Sequence, residues 1–151
     1  MRILVVDDDR DLAELLGRRL VLEGHDVDVC TDGWTALEMA RLVHPDAVLT
    51  DLAMPGIDGW QLASRLRESL RSEVPLIVAI SAYQTGDDYG RSRSAGIDFH
   101  LAKPRYFDEL RRILLRYAAA RQSSGTPDDH APEHDAPSTD THDNSEPQGA
   151  W

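Results

Sequence analysis

The stretch that decides the fold is "RILVVDDDRDL", residues 2–12, in which four apolar residues, Ile3 to Val6, run directly into Asp7, Asp8 and Asp9. A short run of branched aliphatic residues with no polar face is the pattern of a strand covered on both sides of a parallel sheet. Three carboxylates at its exit repel one another, and the repulsion grows as water is removed. A chain that tolerates this arrangement must bring positive charge to the same place.

Working outward, apolar runs recur at residues 27–30, 47–50, 76–80 and, more weakly, 99–102. Segments of helical period lie between them. The first places Leu12, Leu15, Leu16, Arg19, Leu20 and Leu22 on one stripe, with Gly24 as its stop. The second does the same with Trp34, Leu37, Ala40 and Leu42 before His44-Pro45 breaks it. The third carries Trp60, Leu62, Ala63, Leu66 and Leu70, and the last, from Phe107 to Arg121, turns Leu110, Ile113, Leu114 and Tyr117 inward. The fourth, "TGDDYGRSRSAGID", holds three glycines and few apolar residues, which predicts a short, loose helix. Alternation of strand and helix predicts an α/β fold, a doubly wound five-stranded parallel sheet within residues 1–121.

Charge and composition divide the chain. Residues 122–151 hold seven acids and no Lys or Arg, and the remaining 20 acids face 16 bases, within a net charge of −11. Neither part is a basic footprint for nucleic acid. The second part is rich in Pro, Ser, Thr, Asp and His and nearly free of aliphatic residues, so residues 122–151 are expected to be a disordered acidic tail. The single Cys30 excludes an internal disulfide. No apolar run approaches the ~20 residues of a membrane helix, and the first one stops at Asp7, unlike a secretory leader. The chain reads as soluble and cytoplasmic, without membrane contact.

In a doubly wound sheet, ligands gather where strands end and strand order reverses. Asp7 and Asp8 end the first strand, Asp51 the third in "AVLTDLAMPGIDG", Ser81 the fourth in "LIVAISA", and Lys103 follows the fifth in "FHLAKPR". Three carboxylates suit Mg²⁺, which takes oxygen ligands. A hydroxyl and an ammonium hold phosphoryl oxygens, and a carboxylate such as Asp51 can act as a nucleophile toward phosphorus. The chain uses Arg fifteen times and Lys once, at Lys103, where a compact ammonium differs from a planar fork. Asp9 reads as a helix N-cap, and Pro55-Gly56 as a tight turn.

These four motifs, "ILVVDDD", "LTDLAMPGIDG", "AISA" and "AKP", in this order and at these distances, resemble the response-regulator receiver domain of bacterial two-component signalling over about residues 2–117. The resemblance implies a flavodoxin-like (βα)5 fold with strand order 2-1-3-4-5. It implies Asp51 as phosphoacceptor, Asp7, Asp8 and Asp51 with the Ala53 backbone carbonyl as Mg²⁺ ligands, and Ser81 and Lys103 as phosphoryl-binding residues. Ser81 and His100 stand where the family has its switch pair, although His100 also reads as an ordinary half-buried strand histidine. Ala53 and Tyr83, two residues after Asp51 and Ser81, flank the site and are expected to tune the lifetime of the acyl phosphate. The family often has a cis bond before the proline that follows this lysine; the residues alone leave the Lys103-Pro104 isomer open.

The implied donor is a phosphohistidine on a histidine kinase, hybrid kinases included, or on a phosphotransfer protein. The implied output is a protein target on the face made by the fourth helix, fifth strand and fifth helix, with room for a phosphorylation-dependent homodimer. No helix-turn-helix or catalytic motif follows the receiver segment, so a stand-alone signalling phosphoacceptor rather than an enzyme is expected. Relay intermediate and terminal switch both stay open. An aspartyl phosphatase of the haloacid-dehalogenase type wants a second Asp where this chain has Ala53. A degenerate receiver that binds partners without phosphorylation is the alternative, and the full set of five polar site residues argues against it.

Overall fold

The computed structural model describes residues 1–82 and 85–125. In chain order its elements are β1 Arg2–Val6, α1 Arg10–Leu22, β2 Asp26–Cys30, α2 Gly33–Val43, β3 Ala47–Thr50, α3 Gly59–Ser69, β4 Leu76–Ser81, α4 Gly86–Ser94, β5 Phe99–Ala102 and α5 Phe107–Ser123. The strands form one sheet in the order β2-β1-β3-β4-β5, every neighbouring pair parallel. Fold class and strand order are those expected. Strand order reverses between β1 and β3, so the loops after these two strands open onto the same crevice.

Period-two alternation sends successive residues of each strand into opposite layers. Ile3 and Val5 of β1, Ala47 and Leu49 of β3, and Val78 and Ile80 of β4 pack with Leu16 and Leu20 of α1 and Leu110 and Leu114 of α5. Leu4 and Val6, Val48, and Ile77 and Ala79 pack on the other face with Ala36 and Ala40 of α2 and Leu62, Ala63 and Leu66 of α3. All four residues of β3 and all six of β4 are buried. The weight of the sheet therefore rests on the two strands that carry Asp51 and Ser81 at their ends.

Two helical stripes differ from the sequence reading. In α1 the buried residues are Ala13, Leu16, Gly17 and Leu20, while Leu12, Leu15 and Leu22 are 46%, 58% and 87% exposed. In α2, Trp34 and Leu42 are exposed, and Gly33, Ala36, Leu37 and Ala40 face the core. The reason is steric: small residues at helical spacing let a helix lie close to the sheet, as Gly17 does against Val29. Large apolar residues on the flank are left outside. Arg19 lays its guanidinium 3.5 Å from the centroid of the Phe107 ring, and Arg65 stacks on the exposed Trp34 at 4.8 Å. The apolar residues expected inward on α3 are all buried, as are Leu110, Ile113 and Leu114 of α5, with Tyr117 packed half-buried beside them.

Asp9 caps α1, accepting from the Leu12 N–H at 3.2 Å. His44, in the left-handed region at φ 46°, ends α2 before Pro45. α4 is short, as expected, with a capping box between Thr85 and Asp88. α5 runs two residues past the expected limit of the body at residue 121. The tail reading from residue 126 onward, and the Tyr83 reading, fall outside the described residues. No helix among the described residues is long and apolar enough to cross a membrane.

Cys30 ends β2 at 5% exposure, and burial, with Asp32 and Asp28 nearby, pushes its thiol up to about 11. At pH 8 this lowers the thiolate fraction about a hundredfold relative to an ordinary cysteine. Alkylation of the native chain by iodoacetamide is expected to be at least that much slower than alkylation in denaturant; equal rates would show that β2 is not a closed edge of the fold.

Candidate functional site

Parallel pairing of β1 with β3, Val6 opposite Thr50, brings the exits of the two strands level. The Asp51 N–H donates to the Val6 carbonyl at 2.9 Å and the Asp7 N–H to the Cys30 carbonyl at 3.2 Å, so the ladder fixes the backbone up to both carboxylates. One oxygen from each of Asp7, Asp8 and Asp51 lies within 4.8 Å of the other two, and this is the one such acidic group among the described residues. Asp7 is buried, Asp51 half-buried and Asp8 exposed.

The positive charge demanded by this cluster is Lys103. Its Nζ donates to Asp7 Oδ2 at 3.1 Å and to Asp51 Oδ2 at 3.2 Å. The ammonium is placed by β5, whose register sets Ala102 beside Ser81, and the Lys103 N–H donates to the Ser81 carbonyl at 3.0 Å. The Lys103-Pro104 peptide is cis. Burial raises the Asp7 pKa above the usual carboxylate range, and the Asp9 N–H and Lys103 pull it only part of the way back. Burial alone would depress Lys103, but its bonds and attraction to Asp7 and Asp51 outweigh it and hold the ammonium above the ordinary lysine value.

The other oxygens of Asp7 and Asp51 are held by backbone. Asp7 Oδ1 accepts from the Asp9 N–H at 3.0 Å and Asp51 Oδ1 from the Leu52 N–H at 2.7 Å. Ser81, fully buried, ends β4 one strand away from Asp51. Ala53 is exposed in the loop that leaves Asp51, which turns through Gly56 at φ 80°. An apolar cleft of about 290 Å³ leads from Leu12 and Leu15 of α1, past Pro104 and Tyr106, to Asp7 and Asp51. An all-oxygen donor set at a sheet end, with one ammonium and solvent access through Asp8, fits a hard divalent cation that keeps part of its water.

The structure thus brings Asp7, Asp8, Asp51 and Lys103 together and sets Ser81 and Ala53 on the adjoining exits. His100 stands apart from the carboxylates, half-buried on β5, with Nδ1 3.1 Å from Ser92 Oγ and its ring centroid 4.6 Å from that of Tyr89. Two contributors escaped the sequence reading. Thr50, at 1% exposure, donates its hydroxyl to the Asp51 carbonyl at 2.8 Å; within "AVLT" it read only as part of an apolar run. Gly59 opens α3, and its N–H donates to the Leu52 carbonyl at 2.9 Å. A Cβ there would overlap the Asp51 carbonyl oxygen. The second glycine of "PGIDG" was its one trace in the sequence.

A flavodoxin-like sheet whose switch point holds an acidic cluster bridged by one lysine is the arrangement expected of a receiver domain. The chain belongs to the response-regulator receiver domain family, whose family model matches residues 3–115. Response regulator MprA of Mycobacterium leprae is 40% identical over 119 residues, covering 77% of this chain and 51% of that protein. MprA of Mycolicibacterium vanbaalenii is 38% identical over 133 residues, covering 88% and 55%. The chain therefore spans about half the length of the curated relatives it matches. Among solved structures, the response regulator TrrA of Thermotoga maritima, determined with Mg²⁺-BeF, is 32% identical with a TM-score of 0.68, covering 77% of this chain and 97% of that one. The chemotaxis protein CheY4 of Vibrio cholerae, 22% identical with a TM-score of 0.71 over 77% and 97%, shares the fold.

Because rigid backbone surrounds Gly59, Gly59→Ala is expected to cost about 1–3 kcal/mol of stability, the usual size of overpacking, and to displace the loop carrying Asp51. Urea unfolding measures it; an unchanged midpoint would show that α3 can back away from the site freely.

Proposed function

We propose that this receiver domain is a phosphoacceptor switch in which Asp51 takes a phosphoryl group from a phosphohistidine of a histidine kinase or phosphotransfer protein. The observation that carries the reading is the bridging ammonium: Lys103 Nζ within 3.2 Å of both Asp7 and Asp51, at the point where the strand order of the sheet reverses. An oxygen of Asp51 attacks phosphorus, the P–N bond of the donor breaks as the P–O bond forms, and the imidazole nitrogen leaves with the electron pair. Hydrolysis of the resulting acyl phosphate returns the carboxylate.

Asp7, Asp8, Asp51 and the Ala53 carbonyl are the residues that would hold Mg²⁺. When bound, Mg²⁺ supplies positive charge against the oxygens that gather charge during in-line transfer. The Mg²⁺-BeF species named for the Thermotoga relative is the same class of ligand. Lys103 exchanges one carboxylate partner for a phosphoryl oxygen, and the Ser81 hydroxyl donates to another. Ala53, at the rim, leaves room for the water that ends the signal, and Tyr83 shares the tuning of that lifetime. Ser81 and His100 carry the change outward to the face made by α4, β5 and α5, where a target protein or a second phosphorylated copy binds. The acidic body, with 20 acids against 16 bases in residues 1–121, offers nucleic acid no direct footprint. Its place of work is the cytoplasm, where the kinase presents its phosphohistidine. Residues 126–151 add seven acids and no Lys or Arg to the receiver's charge.

The test is incubation with acetyl phosphate and Mg²⁺ followed by intact mass. Wild type is expected to gain one phosphoryl group, labile to hydroxylamine, and Asp51→Asn none. A phosphorylated Asn variant would move the acceptor elsewhere. A wild type that gains nothing, from acetyl phosphate or from a kinase, would leave a phosphorylation-independent binding module.

A further inference from the structure

α4 is fastened to the molecule in an unusual way. Five residues of α3 are buried, but α4 buries one, Ser92, at 2% exposure. A nine-residue helix containing Gly86 and Gly90 has little stability of its own, so its attachments decide whether and where it sits. The Trp60 indole N–H, from α3, donates to Ser92 Oγ at 3.0 Å, a buried bond. The same oxygen lies 3.1 Å from His100 Nδ1 on β5. A hydroxyl that accepts from Trp60 can also give its own proton to Nδ1 in the tautomer that carries its hydrogen on Nε2. Nearby contacts are more exposed: Arg91 stacks on Trp60 at 4.0 Å and reaches Asp58 at 3.5 Å, and Tyr89 leans on the His100 ring.

A fastening of this kind differs from an apolar one. Apolar contact is non-directional, whereas a hydrogen bond weakens steeply with a longer distance or a poor angle. The buried indole N–H also needs an acceptor wherever α4 goes. Position matters as well. α4 connects β4, which ends in Ser81, to β5, whose end carries Lys103 three residues beyond His100. Any pull on Lys103 acts on the strand that holds one end of the chain.

We infer that the Trp60–Ser92–His100 hydrogen-bond chain is a latch that holds α4 in the position of the unphosphorylated receiver, with Ser92 as its positioning residue. The inference rests on the phosphoacceptor reading of Asp51. An interaction made in the resting position and lost in the other biases the equilibrium toward rest. Removing it therefore strengthens binding of whatever stabilises the other position, including a phosphoryl mimic at the distant carboxylate cluster.

The experiment uses the full chain and beryllofluoride with Mg²⁺ as the probe, read by titration of amide and indole NMR shifts. Two variants break the chain in different ways: Ser92→Ala removes the shared hydroxyl, and Trp60→Phe keeps a ring but removes the donor. Both are expected to bind beryllofluoride about fivefold more tightly than wild type, the scale of one net hydrogen bond. α4 amides are expected to exchange faster in the unliganded variants, with β1 and β3 unchanged. A merely structural role predicts equal or weaker binding, and that result in either variant, or unaltered α4 exchange, overturns the latch. If wild type itself takes up no beryllofluoride, the phosphoacceptor reading fails, an outcome distinct from a wild type that binds and variants that match it.

Discussion

The bridge from Lys103 to Asp7 and Asp51, at 3.1 and 3.2 Å, is the contact on which the arrangement of the sheet ends depends. β1 and β3 are driven together by apolar burial, and each delivers a carboxylate to the same few ångströms. Burial makes that juxtaposition costly, and it raises the Asp7 pKa. One ammonium shared between two acids lowers the cost without removing it, because Asp8 adds a third negative charge on the open side. The site is thus left with an excess of negative charge that a divalent cation and a charged oxygen group are suited to resolve. Stability is given up at the strand exits and recovered in the layers, where both faces of β3 and β4 are buried.

Much of this was legible in the residues, for identifiable reasons. Strands covered on both faces are runs such as "ILVV" and "LIVAI", which need no knowledge of partners to be recognised. The carboxylates, Ser81 and Lys103 each sit at the end of such a run, so a parallel sheet collects them at one edge. Helix faces were harder. The eye follows Leu12, Leu15 and Leu22, but the sheet selects Ala13 and Gly17, because close approach rewards small residues and counts of large ones do not reveal it. Thr50 was hidden because its hydroxyl lies in an apolar run, and Gly59 because its role is to have no side chain beneath the Asp51 turn. Ser92 had no signal at all: its partners stand 32 residues earlier and 8 residues later, a spacing set by tertiary structure alone.

The structure divides into a firmly packed body and one lightly held element. α1, α2, α3 and α5 are seated by apolar layers, whereas α4 buries a single serine. Regions that must move are drawn from the less stable parts of a fold, and α4 adjoins both strands whose exits hold the residues proposed to bind the phosphoryl group.

The cluster of Asp7, Asp8 and Asp51, which could hold a metal ion, costs the folded chain stability when Lys103 alone supplies it with positive charge. Thermal melting of wild type and Asp7→Asn, with and without Mg²⁺, tests it most directly. Neutralising Asp7 removes a desolvated charge and leaves Lys103 its partner Asp51, so the metal-free variant should melt higher by about 2–8 °C, corresponding to roughly 1 kcal/mol, and should lose the rise in melting temperature that Mg²⁺ gives wild type. A metal-free variant that melts lower than wild type, with an undiminished response to Mg²⁺, would contradict the account.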